Sequence, residues 1–486
     1  MGRSEIEKYF YGRNDKNMFI QAVLIGIFCY LGALSVPWAF GLTGGWYTLS
    51  RPLVSGLIVG MKLKDAISAG ITLGVAFTGM SMLIGFMSDA IGPAAKAMLT
   101  HTGINLPIVD GGWTTLSAIA WSWPYAFLMF PLMIGLNILM LIINKTKTFN
   151  ADLWNVWGKI FTGVAVAAVS KPYFGTAASI ALAFIVAGIQ IIFELKMADM
   201  YQYRIEKLSG IPGVTCTHKM GFTSIFMFPI DCILKKIPAL NKRFDAAALK
   251  DKIGIFAESH VLGFILGIIF GILARYSVAA TLTLGIQASC ALTLFPVISK
   301  YFMMALEPIS SAISAFMNKK FDDRTLVVGL DWPFMGGANE IWLAVFWAIP
   351  VTLLFSMFLP GNEILPFAGI VNNAIAVAAF LVTGGNIIRM LILVTLFAPA
   401  YLWVGTIMAP FISDLARSTG AVALKAGELI SCSSIDGPIQ TYAFSHVFKI
   451  MDGNFLPLVL CVIFVVCFIA LYKYLGKEEA EGREIN

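Results

Sequence analysis

Charged residues are spaced so widely along this chain that nine stretches of 20 or more residues hold no Asp, Glu, Lys or Arg: 18–50, 66–88, 111–144, 172–193, 276–299, 341–362, 364–388, 390–413 and 453–472. A helix needs roughly 20 residues to cross a bilayer core about 30 Å thick. Segments in lipid must satisfy their own backbone hydrogen bonds, which leaves helices or a closed barrel. Period-two alternation, the mark of a barrel, is absent, so the runs predict helices. Spans are expected near 19–38, 66–87, 117–143, 174–193, 256–274, 278–299, 341–359, 365–383, 389–411 and 455–472. Shorter apolar segments near 45–61, 154–170 and 222–234 are expected as half-helices or hairpins. The fold class that follows is an all-α polytopic membrane protein with roughly 10–12 transmembrane helices.

Composition agrees. Of 486 residues, 58% are hydrophobic and 13% charged, against about 25% charged in an ordinary soluble domain. A set of separate soluble domains is thereby excluded. Net charge is +6, which in a membrane protein reports loop placement and not affinity for nucleic acid. Residues 195–252 carry ten Lys or Arg against five acids, so this segment is expected to be mostly cytoplasmic. The basic N-terminus, 1–18, and the tail, 473–486, read the same way. The opening apolar run is over-long for a signal peptide and has no small-residue cleavage site. The seven cysteines show no CxxC spacing, so neither a disulfide framework nor a cysteine metal site is expected.

Breaks and buried acids then mark where chemistry is expected. Gly329-Leu-Asp-Trp-Pro333 and Gly336-Gly-Ala-Asn-Glu340 interrupt the chain before a span, and Pro360-Gly-Asn-Glu363 interrupts it after. Such breaks survive at membrane depth where they are buried or line a wet cavity, and transporters hold substrate there. An acid in a spanning segment costs about 2.5–3.5 kcal/mol, which singles out Glu258, Asp331 and Glu340. Asp152 and Asn155 follow, although Asp152 also suits a helix cap. His218, in Thr215-Cys-Thr-His-Lys219, offers a donor and an acceptor to a hydroxyl-rich ligand. Trp332 beside Asp331 can anchor at an interface or stack on a polyol. The four histidines form no metal-binding spacing and no GxxxxGKS phosphate loop is present, so no metal, nucleotide or other cofactor is expected.

From about Gly60 onward the chain resembles the galactitol-type membrane component (EIIC) of the bacterial phosphoenolpyruvate-dependent sugar phosphotransferase system, in the ascorbate–galactitol superfamily. The resemblance is carried by Ser88-Asp-Ala-Ile-Gly-Pro-Ala-Ala-Lys-Ala-Met98, Val109-Asp-Gly-Gly-Trp113, Asp152-Leu-Trp-Asn-Val-Trp157, Phe161-Thr-Gly163, Phe256-Ala-Glu-Ser259, Gly329-Leu-Asp331, Leu359 through Phe367, and Ala423-Leu-Lys-Ala-Gly427. Residues 19–65 look more like the start of a mannose/sorbose-type EIIC. The domain boundaries expected are therefore 1–18, 19–65, 66–472 and 473–486. The resemblance implies a homodimer in the bacterial cytoplasmic membrane, with termini in the cytoplasm. Each protomer would have a scaffold part and a core part that carries the sugar in an elevator-like motion. It also implies that the phosphoryl group comes from a separate EIIB, served by EIIA, while this chain holds the substrate hydroxyl and bears no phosphocysteine.

On that basis the substrate is a sugar or alditol. Glu258, Asp331 and Asn339 are expected to bind its hydroxyls, with His218 and Asn155 as further candidates; ionised carboxylates are strong acceptors for such a cargo. The competing reading is an ion-coupled secondary transporter with Glu258 and Asp331 as proton or sodium carriers. An intramembrane enzyme is disfavoured by the lack of a nucleophile–base constellation.

Overall fold

The computed structural model describes residues 62–102, 106–152, 155–241, 258–320, 326–366, 368–420, 422, 424 and 426–484. The spans expected at 19–38 and 45–61, the N-terminus 1–18, and Phe256–Ala257 of the Phe256–Ser259 motif lie outside these. The described helices are α1 (Leu63–Thr102), α2 (Gly112–Trp121), α3 (Met129–Ile142), α4 (Val156–Ser209), α5 (Phe222–Leu234), α6 (Ser259–Leu273), α7 (Val278–Lys320), α8 (Asn339–Phe358), α9 (Asn373–Thr383), α10 (Ile387–Thr419), α11 (Pro438–His446) and α12 (Leu456–Glu484). Among them α4, α8, α10 and α12 are long and apolar enough to cross a membrane. The protein is an all-helical polytopic membrane protein, with only five short strands among the described residues.

The described residues divide into two compact units, those within 1–80 and 300–325 and those within 81–299 and 326–486. In the first, the start of α1 buries Ala66, Ala69 and Ala76 and exposes Ile67, Ile71 and Val75. An exposed apolar stripe at helical spacing suits a lipid-facing surface. The second unit contains everything discussed below.

The longest helical segment, α4, is not one helix. At Gly175 the backbone takes φ 75°, ψ 175°, a region open essentially to glycine. Lys159 Nζ lies 2.8 Å from Glu194 Oε2, and Thr162 Oγ1 donates to Gln190 Oε1 at 2.7 Å. An uninterrupted helix would hold these pairs roughly 40–50 Å apart. The chain therefore reverses at Gly175, and α4 is a hairpin of two antiparallel arms, 156–174 and 176–209. The separate segments expected at 154–170 and 174–193 correspond to these arms.

Three expected spans are shorter or broken; the one at 256–274 yields α6, 15 residues. The run 117–143 divides into α2 and α3 at Ser122–Leu128, where Pro124 disfavours helix for its predecessor and has no N–H to give. The run 365–383 yields only α9, 11 residues and so about 16 Å long, too short to cross a bilayer. Its start is set by Asn372, whose side chain accepts from Ile375 N–H at 3.1 Å, and its end by Gly384 in the left-handed region. Every residue from Ala374 to Thr383 is buried, among α5, α8 and α10.

A buried half-helix leaves carbonyls at its C-terminus that must find partners. Arg204 Nη1 donates to Leu381 O and Val382 O, at 2.8 Å each, and Arg389 Nη2 donates to Thr383 O at 2.8 Å. Arg389 is held by Asp231 of α5 at 2.7 Å. Arg204 is held by Glu478, near the end of α12. The tail from Lys473 continues that helix to Glu484. There Tyr474 accepts from Lys235 Nζ at 2.9 Å and Glu479 lies 3.4 Å from Lys147 Nζ.

The strands form two small parallel sheets. One pairs β1 (Ile108–Asp110) with β5 (Leu429–Ser431). At its end the buried Asp110 carboxylate accepts from Gly112 N–H at 3.0 Å, Gly369 N–H at 2.8 Å, Ser433 N–H at 3.1 Å and Ser433 Oγ at 2.6 Å. Asp110 thus ties together three distant segments, including the Val109–Trp113 motif. The other sheet has the order β2 (Thr148–Asn150), β4 (Val327–Leu330), β3 (Val214–Cys216).

Removing one member of a buried ion pair strands the other, at a cost of about 3–5 kcal/mol. Lys159→Met is expected to lower thermal stability of the purified protein strongly. Adding Glu194→Leu should restore most of the loss, because the hairpin arms can then pack apolar side chains. If the double variant is as unstable as the two single losses summed, the two residues do not meet across the hairpin.

Candidate functional site

The three-stranded sheet aligns its C-terminal ends. Gly329 sits opposite Asn150 on one side and Thr215 on the other. Two residues further along each strand direction, Asp152, Asp331 and Thr217 fall in one row, with His218 next in line. Ala151 N–H donates to Gly329 O at 2.8 Å and Thr217 N–H to Leu330 O at 3.1 Å, which carries the register past the strands. Gly329 is required by close approach: a Cβ there would meet Thr217 Cγ2 at 2.4 Å and Thr148 Cγ2 at 2.9 Å. The Gly-Leu-Asp motif is therefore a strand that must be thin at its first residue and deliver a carboxylate at its last.

Each strand end feeds a helical turn. Asp152 accepts from Asn155 N–H at 3.2 Å and Asn155 Nδ2 at 2.8 Å, opening α4. Asp331 accepts from Trp332 N–H at 2.7 Å and caps the 3-10 turn Trp332–Gly337. His218 Nδ1 accepts from Met220 N–H at 3.1 Å and caps Lys219–Gly221. A neutral ring that accepts at Nδ1 carries its proton on Nε2. That nitrogen lies 3.8 Å from Asp436 Oδ2, just before α11.

Buried cations complete the cluster. Lys159 Nζ, besides its pairing with Glu194, donates to Asn155 O at 3.2 Å. Lys219 extends over the ring of Trp157, 5.8 Å from its centroid, and donates to Thr441 Oγ1 at 3.3 Å. Burial pulls the Lys219 ammonium below its usual range, with Asp436 and Glu194 opposing that effect. Burial, then Lys159 and Lys219, pushes the His218 imidazole well below its usual value and keeps it neutral. Burial, then the Asp152 carboxylate, raises Asp331 well above the usual carboxylate range, while hydrogen bonds from Asn155 and Trp332 oppose. Asp436 is pushed up to about 6 by burial, with Lys219 and Lys159 pulling the other way. The cluster can therefore present a neutral imidazole, an amide, ammonium donors and carboxyl groups to one small polar guest.

Of the five residues singled out from sequence, Asp331, His218 and Asn155 come together here. Glu258 precedes α6 with its carboxylate 3.5 Å from His260 Nε2, their side chains 35% and 53% exposed. Asn339 opens α8 with an exposed side chain. Trp332 is buried and packs 6.2 Å from the ring of Trp342, a core role. Lys159, Glu194, Lys219 and Asp436 were missed. Lys159 within an apolar run carried the signal of an expensive charge, and Asp436-Gly-Pro438 that of a helix start.

With this geometry in view, the comparisons are specific. Residues 52–427 match the EIIC-GAT family model, described as the sugar-specific permease component of the phosphotransferase (PTS) system. The chain belongs to this family and is a PTS sugar permease component. The match takes in residues 52–65, grouped above with the N-terminal helices. The chain is similar to the PTS system galactitol-specific EIIC component of Escherichia coli (strain K12), 33% identical over 403 residues, 82% of this chain and 87% of that protein. The protein of the same description from Escherichia coli O157:H7 matches equally, 33% over 403 residues. A putative permease IIC component of Escherichia coli (strain K12) is 29% identical over 372 residues, 76% of this chain and 83% of that protein.

The Asp436 carboxyl gives a pH signature. The folded protein holds this proton up to about pH 6, whereas an ordinary aspartate releases it near 3.8. Between those values the unfolded chain binds fewer protons, so stability falls as pH rises through the window. Thermal denaturation of ligand-free protein between pH 4 and 6 should follow this trend, and Asp436→Asn should flatten it. An unchanged slope in the variant would remove Asp436 from the buried network.

Proposed function

We propose that this chain is the EIIC of a phosphotransferase system for a galactitol-like polyol. It binds the polyol at Asp331, His218 and Asn155, and a partner EIIB, recharged by EIIA, phosphorylates it. The observation that carries the reading is the row of strand ends, which gathers a carboxyl, an amide and a neutral imidazole at the ends of one small sheet. A polyol hydroxyl donates and accepts at once, so it suits a set that holds both kinds of partner. His218 Nε2 and Asp436 Oδ2, 3.8 Å apart, are too distant to bond well directly. A hydroxyl beside both can accept from the imidazole and donate to the carboxylate. Galactitol is the cargo named for the similar Escherichia coli proteins, which supports the class of substrate.

Elevator-type movement, a homodimeric assembly and a cytoplasmic-membrane location with both termini in the cytoplasm complete the proposal, on the strength of the family resemblance. The reading rests on Asp331, His218 and Asn155. Glu258 and Asn339, both reachable by solvent, are outside that set.

Uptake into vesicles containing this protein should require EIIB, EIIA and phosphoenolpyruvate and be indifferent to a proton or sodium gradient. Uptake driven by an ion gradient alone would favour the secondary-transporter reading. Asp331→Asn, which retains the cap and the size but turns an acceptor into a donor, should weaken polyol binding by about tenfold or more with the fold intact. Wild-type affinity in that variant would remove Asp331 from the site.

A further inference from the structure

The start of α11 holds a side chain that the cluster above leaves unused. Gln440 is 1% exposed, and neither atom of its amide has a hydrogen-bond partner among the described residues. A buried, unpaired amide is unfavourable, because both atoms have given up water for nothing in return. Gln190, also fully buried, shows how a purely structural glutamine is treated in this protein. Its Oε1 accepts from Thr162 at 2.7 Å and its Nε2 donates to Glu194 at 2.8 Å.

The Gln440 amide lies where α11 meets the Lys219–Gly221 turn. A Cβ built on Gly437 would be 3.3 Å from Gln440 Oε1 and 3.2 Å from Lys219 O. The neighbours at this junction are already engaged. Thr441 Oγ1 donates to Asp436 O at 2.8 Å and accepts from Lys219 Nζ at 3.3 Å, while His218 Nε2 faces Asp436. We propose that the Gln440 amide reads a pair of neighbouring hydroxyls on the substrate, forming with Asp436 the α11 side of the site, which His218 at the strand ends faces. This rests on the reading that the cluster binds the transported polyol.

The chemistry selects a neutral hydroxylated ligand over an anion. An amide offers one acceptor and one donor group side by side, which matches two adjacent hydroxyls, one donating and one accepting. A helix N-terminus favours negative charge, but here the Asp436 carboxyl already occupies that position, so a bound anion would meet a like charge. A hydroxyl pair can instead donate to Asp436 and to Gln440 Oε1 while accepting from Gln440 Nε2.

The test uses the purified full-length protein, galactitol and its monodeoxy analogues, with Gln440→Leu and Gln440→Glu. Galactitol affinity is expected to fall about ten- to a hundredfold in Gln440→Leu. That loss should largely vanish for the analogue lacking the hydroxyl that Gln440 reads. Thermal stability without ligand should stay level or rise, because two unpaired polar atoms have been removed. Gln440→Glu, similar in size but without the donor, should lose affinity as well. Wild-type affinity in Gln440→Leu overturns the proposal, including where transport is lost, since the amide would then serve movement. So does a fall in ligand-free stability with equal loss for every analogue, which marks a structural amide. If the wild-type protein takes another PTS sugar and not galactitol, the galactitol reading fails and the Gln440 comparison runs on that sugar and its deoxy forms. If it binds none, both fail.

Discussion

Wherever a helix stops inside an apolar body, its free N–H and C=O groups must find partners from the protein itself, and this demand organises the second unit. The half-helix α9 is started by Asn372 and closed by Arg204 and Arg389, each arginine held by an acid from another helix. Between helices, short parallel strands pair so that their backbone groups are satisfied without water. Strand pairing of this kind also fixes register. The residue that follows each strand is delivered to a set position, and the carboxyl of Asp331 reaches the interior as a consequence of backbone bookkeeping two residues earlier.

The buried charges divide by how completely they are matched. Asp110 accepts four hydrogen bonds, and Asp231 meets Arg389 and Lys235. Such closed sets hold segments together and offer nothing to a guest. The groups at the ends of β2, β3 and β4 differ. The Asp152 carboxylate is close enough to raise the proton affinity of Asp331, His218 is neutral, and Asp436 stands 3.8 Å from its nearest imidazole nitrogen. An open set of donors and acceptors is costly in an apolar body, a cost that the proposed binding of a hydroxylated molecule would offset.

Much of this was legible in the sequence, and the failures have physical reasons. Charge-free runs of span length located α8, α10 and α12, because lipid and protein interior both exclude charge. The same runs misled at α9, since a helix buried on every side is as apolar as one in lipid, and only Asn372 and Gly384 mark its true length. The pattern Gly329-Leu-Asp-Trp-Pro333 pointed to Asp331 because breakers next to an acid are expensive unless used. Lys159 and Glu194 were unreadable as a pair: Lys159 stands out as a charge within an apolar run, but Glu194 sits at the edge of one, where a charge ordinarily meets water. Only the reversal at Gly175 brings them together, and a single glycine followed by apolar residues does not announce a hairpin.

The site also joins parts of the chain that differ in how they relate to the family. Asn155, His218 and Asp331 lie within the 52–427 family match, whereas Asp436 and Gln440 follow it in sequence. In space these groups belong to one network, because Lys219 of the β3 turn bonds to Thr441 of α11 and His218 faces Asp436. On the proposed reading, a hydroxylated chain that engages the strand ends with one part presents its other hydroxyls towards α11. Stereochemistry at a single carbon decides whether a hydroxyl there points to an acceptor or away from it, and a hydrogen-bonding site discriminates far more sharply than an apolar one. In the proposed binding mode, choice among closely related polyols falls to the α11 end, and the capacity to hold a polyol at all falls to the strand ends.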